Sequence, residues 1–136
     1  MRNDFENDKT ITIMALHNEF GKKGEAAARD ALLRKGYLIR ETNWRCNKFE
    51  IDIVAEKDNR LIIVEVKTRS HEIYDLSKVI NAKKCANLIS AGKAYQKMND
   101  LPLELQFDII LQVGEDEDHF TTEHLEDAIH PRLRTY

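Results

Sequence analysis

Two stretches of the chain carry a pattern with period two. Residues 50–56 alternate acid with aliphatic through Glu50-Ile51-Asp52-Ile53 and end on Val54-Ala55-Glu56, and residues 61–68 are aliphatic except at Glu65, Lys67 and Thr68. β-Branched residues in such alternation predict two β-strands. Between them stands Lys57-Asp58-Asn59-Arg60, and Asp-Asn accepts the positive φ angles of a two-residue primed turn. With the turn at Asp58 and Asn59, Lys57 faces Arg60 and each step outward moves both partners by one. Asp52 then falls opposite Glu65, and Glu50 opposite Lys67. Side chains two apart share a face, so all four project from one side of the hairpin.

The rest of the pattern supplies the other elements. Phe20, Gly24, Ala27, Ala28, Ala31 and Leu32 lie on one stripe at helical spacing, with Asn18 as cap and Gly36 as terminator after Lys35. Residues 37–43 read as a strand, residues 70–77 as a loop, and residues 78–98 as a second helix with a stripe through Val79, Ala82, Ala86 and Ile89. Pro102 breaks the chain before an aliphatic strand over residues 105–113. Gly114 and the acids of residues 115–118 form a turn, and residues 120–124 make a short last strand. The order is α-β-β-β-α-β-β, an α/β fold with a mixed sheet flanked by helices. Residues 1–13 are expected to be a flexible extension, and residues 14–136 a single domain.

The hairpin carries the candidate chemistry. Two carboxylates with Cβ atoms ~4.5–5.5 Å apart repel and destabilise a sheet. A divalent cation between Asp52 and Glu65 removes that cost, and a few Asp and Glu oxygens are what Mg²⁺ or Mn²⁺ prefers. The competing reading is a solvated hairpin face on which Glu50 pairs with Lys67. Because Glu65 and Lys67 interrupt an aliphatic strand, partial burial is expected, and this favours the metal site.

Charge is unevenly spread, which changes what the net value of −3 implies. Residues 15–113 hold 17 Lys and Arg against 14 Asp and Glu, whereas residues 114–136 hold 2 against 7. Lys22, Lys23, Arg45, Lys48, Arg69, Lys83 and Lys84 are therefore candidates for a modest phosphate-binding surface, with scattered solubilising cations as the alternative. No apolar run approaches the ~18 residues of a membrane helix and the start lacks a signal peptide's apolar stretch, so no membrane partner and a cytoplasmic location are expected. Cys46 and Cys85 lack metal-ligand spacing, the five histidines lack zinc spacing, and no phosphate-binding Gly-x-x-x-x-Gly-Lys loop occurs. Trp44 is open to two readings, base stacking or core packing. Asp108, on an aliphatic strand, reads as a structural acceptor.

Several segments together carry a resemblance. Gly21-Lys22-Lys23-Gly24-Glu25, Asn43-Trp44-Arg45, Glu50-Ile51-Asp52-Ile53-Val54-Ala55, Val64-Glu65-Val66-Lys67-Thr68-Arg69 and Phe107-Asp108 fall in the order seen in the YraN-like family. That family comprises small predicted bacterial endonucleases of the PD-(D/E)xK, or restriction-endonuclease-like, fold and is similar to archaeal Holliday-junction resolvases. Two positions depart from the pattern. Ile51 stands where the fold's name has proline, and Gln106 stands where the family commonly has arginine. The resemblance implies a metal-dependent endonuclease acting on DNA, including branched DNA, with Asp52, Glu65 and the Val66 carbonyl as metal ligands. It also implies that Lys67 orients or deprotonates the attacking water and offsets phosphorane charge, and that Glu25 reaches the site from a first helix packed close through small residues. Lys83 and Lys84 match a lysine position at the start of the second helix, and symmetric cutting of two strands implies a homodimer. The alternative is a nucleic-acid-binding module of the same fold that cleaves too slowly to matter.

Overall fold

A computed structural model of the chain describes residues 4–70, 80–116 and 118–130, with backbone alone for residues 4–14 and 17. Among these, helix α1 spans Asp4–Arg34, strands β1, β2 and β3 span Leu38–Cys46, Phe49–Lys57 and Arg60–Arg69, helix α2 spans Ala82–Met98, and strands β4 and β5 span Glu104–Gly114 and Phe120–Leu125. The strands form one sheet in the order β1-β2-β3-β4-β5. Three antiparallel neighbours are joined by short turns, and β4 returns parallel to β3, which requires a crossover on which α2 lies. No helix among the described residues is long and apolar enough to cross a membrane.

The hairpin at the centre follows the expected register. Asp58 and Asn59 have φ of 51° and 63°, the pair of left-handed residues a type I′ turn demands, and Lys57 faces Arg60 as Ile53 faces Val64. Alternation along β3 then sends Ile62, Val64 and Val66 under α1, against Ala28 and Leu32, and Leu61 and Ile63 under α2, against Leu88, Ala91 and Tyr95. Both faces are covered, which explains why β3 and β4 read as nearly continuous aliphatic runs.

Helix α1 approaches the sheet closely because Gly24 faces Thr68. A Cβ at Gly24 would stand 2.9 Å from Thr68 Cβ and closer still to its hydroxyl, well inside contact distance. Buried Gln112 secures the same point by donating to the Gly24 carbonyl at 3.2 Å. Gly24→Ala is therefore expected to destabilise the fold by about 1–3 kcal/mol in urea unfolding, despite alanine's better helix propensity. A neutral or stabilising result would mean that helix and sheet can part freely here.

Three boundaries and one stripe differ from the expectations. Helix α1 begins at Asp4 and runs through exposed Asn18, so that residue caps nothing. A solvated asparagine costs a helix interior only a few tenths of a kcal/mol and does not stop it. Gly36, at φ 87°, does end the helix, with Tyr37 N–H donating to the Leu32 carbonyl. Strand β1 extends to Cys46, past the expected end at residue 43. Helix α2 starts after Asn81, whose side chain accepts from Lys84 N–H at 2.9 Å. Its buried stripe is Leu88, Ala91, Gly92 and Tyr95, whereas Ala82 and Ala86 are exposed; Val79 lies outside the described residues. Leu88 and Tyr95 have more apolar surface to bury than the alanines. Gly92 also lets the helix settle on Phe107 and Ile63, where a Cβ would stand 2.8 and 3.0 Å away.

Asp108 is structural, as read from the sequence. It is fully buried on β4 and accepts from His124 Nε2 at 2.7 Å, Asp127 N–H at 2.9 Å and Gln106 Nε2 at 2.9 Å. Gln106 in turn accepts from Arg60 Nη1 at 2.8 Å, so the amide joins an exposed guanidinium to the buried acid.

Candidate functional site

The paired register of β2 and β3 ends at Ile53 and Val64, one step before Asp52 would face Glu65. There the Asp52 carboxylate replaces the backbone partner, and Oδ2 accepts the Val66 N–H at 2.8 Å. Strand β1 is distorted at the same level. Thr42 faces Ile53 and Trp44 faces Ile51, leaving Asn43 beside Asp52 with a left-handed φ of 51°. Both strands turn over at this rung. Ile53 packs under α1 but Ile51 under α2, and Trp44 stands edge-on to Tyr95 of α2 with ring centroids 5.2 Å apart. The twist opens the sheet and directs Asp52 into the gap.

The gap is a cleft of about 500 Å³ lined by Glu25, Lys48, Glu50, Asp52, Glu65, Val66, Lys67 and Lys84 among others. Glu65 Oε1 lies 3.2 Å from Lys67 Nζ and 3.7 Å from Lys84 Nζ. Glu25 enters from α1 and receives a hydrogen bond from the Asn43 side chain. Burial, and after it the Glu65 carboxylate, pushes Asp52 up to about 7 against the Val66 N–H bond. Burial also raises Glu25, opposed by Asn43 and reinforced by Glu50 and Glu65. Burial lowers Lys84, and neighbouring Lys67 adds to the effect.

These shifts predict an inverted response to mutation. A raised Asp52 means that ionising it costs the folded state more than the unfolded chain, a cost that grows from about pH 4 and is complete above about pH 7. Asp52→Asn keeps an acceptor for Val66 N–H and removes the charge. In EDTA it is expected to stabilise the protein by on the order of 1–3 kcal/mol at pH 8 and to change little at pH 4. Thermal melts at both pH values check this, and a destabilised variant at pH 8 would show that the acid is well compensated without metal.

The fold brings Glu25, Lys48, Glu50, Asp52, Glu65, Val66, Lys67 and Lys84 to one cleft and disperses the remaining candidates. Lys22 lies beside a small side opening with Arg29 and Thr42. Lys23 pairs with Asp118 at 3.5 Å, and Arg69 donates to the Thr68 carbonyl and lines a neighbouring groove with Leu16 and Phe20. Lys83 is exposed on the first turn of α2, away from the cleft lining. Glu50 does not meet Lys67, because the strands have parted; it pairs with exposed Arg45 at 3.1 Å. Trp44 is half-buried against Tyr95, which fits the packing reading. Asn43 has no site role in the sequence reading, although Asn43-Trp44-Arg45 is one of the segments that carry the resemblance and asparagine is the type that readily takes a left-handed φ.

Comparison with known proteins places this chain in a family. Residues 24–111 match the model of the family described as Uncharacterised protein family UPF0102. A UPF0102 protein of Phocaeicola vulgatus is 46% identical over 121 residues, covering 88% of this chain and 99% of the relative. One from Flavobacterium psychrophilum is 46% identical over 118 residues, covering 86% and 98%, and one from Bacteroides thetaiotaomicron is 44% identical over 121 residues, covering 88% and 99%. The chain belongs to the UPF0102, or YraN-like, family.

Proposed function

We propose that this chain is a metal-dependent endonuclease of the PD-(D/E)xK type, hydrolysing phosphodiester bonds in DNA. The observation that carries the reading is the placement of Asp52 and Glu65 at the parting of two strands, with Lys67 beside them. A repulsive pair of half-buried carboxylates is costly in a sheet unless a cation joins them.

The donor set fits a hard divalent cation. Among the described residues no three His, Cys, Asp or Glu side chains converge into a ready shell. Mg²⁺ does not need one, since it keeps several waters and is commonly held by one or two carboxylates. Asp52 and Glu65 would hold Mg²⁺ or Mn²⁺, with Glu25 and the Val66 carbonyl as further candidates. A cation held there supplies polarisation of the phosphate and acidification of water. Asp52 is already oriented by Val66 N–H, so little ordering is left to do on binding. Lys67, with a side chain 14% exposed beside Glu65, would offset charge developing on a phosphorane and orient the attacking water.

The test is incubation of purified protein with labelled linear duplex, single-stranded and four-way DNA in Mg²⁺, Mn²⁺ or EDTA. Metal-dependent cutting is expected, and the preferred arm reports whether branched DNA is the substrate. Mn²⁺ titration of Asp52→Ala and Glu65→Ala is expected to show affinity at least roughly tenfold weaker than the parent. Unchanged affinity in both would assign these acids to another role. One observation favours a second reading, a binding module. Glu65 is already compensated by two lysines, an arrangement that needs no metal. DNA binding without cutting in any arm selects it.

A further inference from the structure

Glu65 carries two cations drawn from different elements. Lys67 comes from β3 and Lys84 from the first turn of α2, where the Asn81 cap accepts the Lys84 backbone N–H and fixes the helix start beside the cleft. Two ammonium groups gathered on one carboxylate oxygen repel each other. They stay together because the cleft also holds the carboxylates of Asp52 and Glu25. The two lysines are not equivalent. Lys67 is the nearer, at 3.2 Å with its side chain 14% exposed, whereas Lys84 stands at 3.7 Å with 45% exposed.

Resting on the metal-dependent reading above, we propose that Lys84 is the resident counter-ion of the metal-free cleft, displaced from Glu65 by a divalent cation and then free to engage a phosphate. Charge balance requires a displacement. The four carboxylates of Glu25, Glu50, Asp52 and Glu65 and the three ammonium groups of Lys48, Lys67 and Lys84 that line the cleft leave a small negative excess, and a divalent cation added to all of them reverses its sign. The cation released at least cost is the one that is farther away and better hydrated, which is Lys84. Its tether to the mouth of the cleft keeps its charge within reach of a polyanion approaching the site. Lys84 therefore competes with the metal, whereas a plain phosphate-binding lysine on a helix would leave metal affinity unchanged.

Lys84→Met keeps the stem and removes the charge, and Lys93→Met removes the same charge from an exposed position farther along α2. In Mn²⁺ titrations without DNA, Lys84→Met is expected to bind roughly 3- to 10-fold more tightly than the parent, as befits loss of one partly solvated repulsion. Lys93→Met is expected to stay within about twofold. A Lys84→Met protein with parent-like or weaker Mn²⁺ affinity overturns the proposal. If the parent binds Mn²⁺ and the variants behave as expected but no DNA is cut, the counter-ion role stands and the nuclease reading falls. A parent that takes up no Mn²⁺ overturns both.

Discussion

Lys67→Ala is expected to lower the rate of DNA cleavage by roughly 10²–10³ while leaving DNA affinity little changed, because an oriented charge in a water-poor site is worth ~3–4 kcal/mol in the transition state. The side chain is largely buried and its Nζ is held 3.2 Å from Glu65, so under the proposed reaction little ordering of its charge would remain to be done. Lys67→Arg is expected to be impaired as well, since a planar guanidinium cannot place its charge where a compact ammonium does. Single-turnover rates at saturating DNA measure the effect without interference from binding. An ordinary phosphate contact behaves differently. Its loss weakens binding modestly and makes the salt dependence shallower by about one unit of slope. A Lys67→Ala protein that cuts at the parent rate once saturated has lost only such a contact, and the catalytic role goes with it.

The largest effect on stability is expected away from the cleft. Asp108→Ala strips a fully buried acceptor from three donors, those of His124, Asp127 and Gln106, and is expected to cost about 3–5 kcal/mol. Against a total of about 5–15 kcal/mol for a typical domain, that is a large share. The pH dependence has a definite sign. Burial alone would raise the Asp108 carboxyl, but the three hydrogen bonds together hold it below the ordinary carboxylate range. A depressed carboxylate contributes stability that is present above its unfolded pKa of about 4 and is lost as pH falls through the lower folded value. The gap in urea midpoint between parent and Asp108→Ala should therefore be wide at pH 7 and narrow on acidification below about 4. A gap independent of pH would mean that the carboxylate charge contributes nothing and that the loss is one of packing.

Much of the frame was legible in the sequence because it rests on local rules. Asp58-Asn59 admits few turns other than a primed one, and a two-residue turn leaves a hairpin one register. Small residues at helical spacing marked the face of α1 that meets the sheet, and Gly24 against Thr68 is the contact they allow. The position of Glu25 beside the site follows from that approach.

What the sequence by itself determined is thus the hairpin, its facing residues and the close-packed face of α1, since each depends on neighbours along the chain or on a pairing set by a tight turn. Only the tertiary structure decided where the hairpin opens. The strands part at Asp52, beside an Asn43 of β1 in left-handed conformation, and the trade of a backbone partner for the Asp52 side chain at Val66 leaves no periodic trace. Tertiary packing likewise chose Leu88, Ala91, Gly92 and Tyr95 as the buried face of α2, brought Lys84 to Glu65, and paired Glu50 with Arg45 in place of Lys67. The physical reason is the same throughout. Period and propensity act over a few residues, whereas these choices depend on which distant charges and apolar surfaces the folded sheet sets side by side.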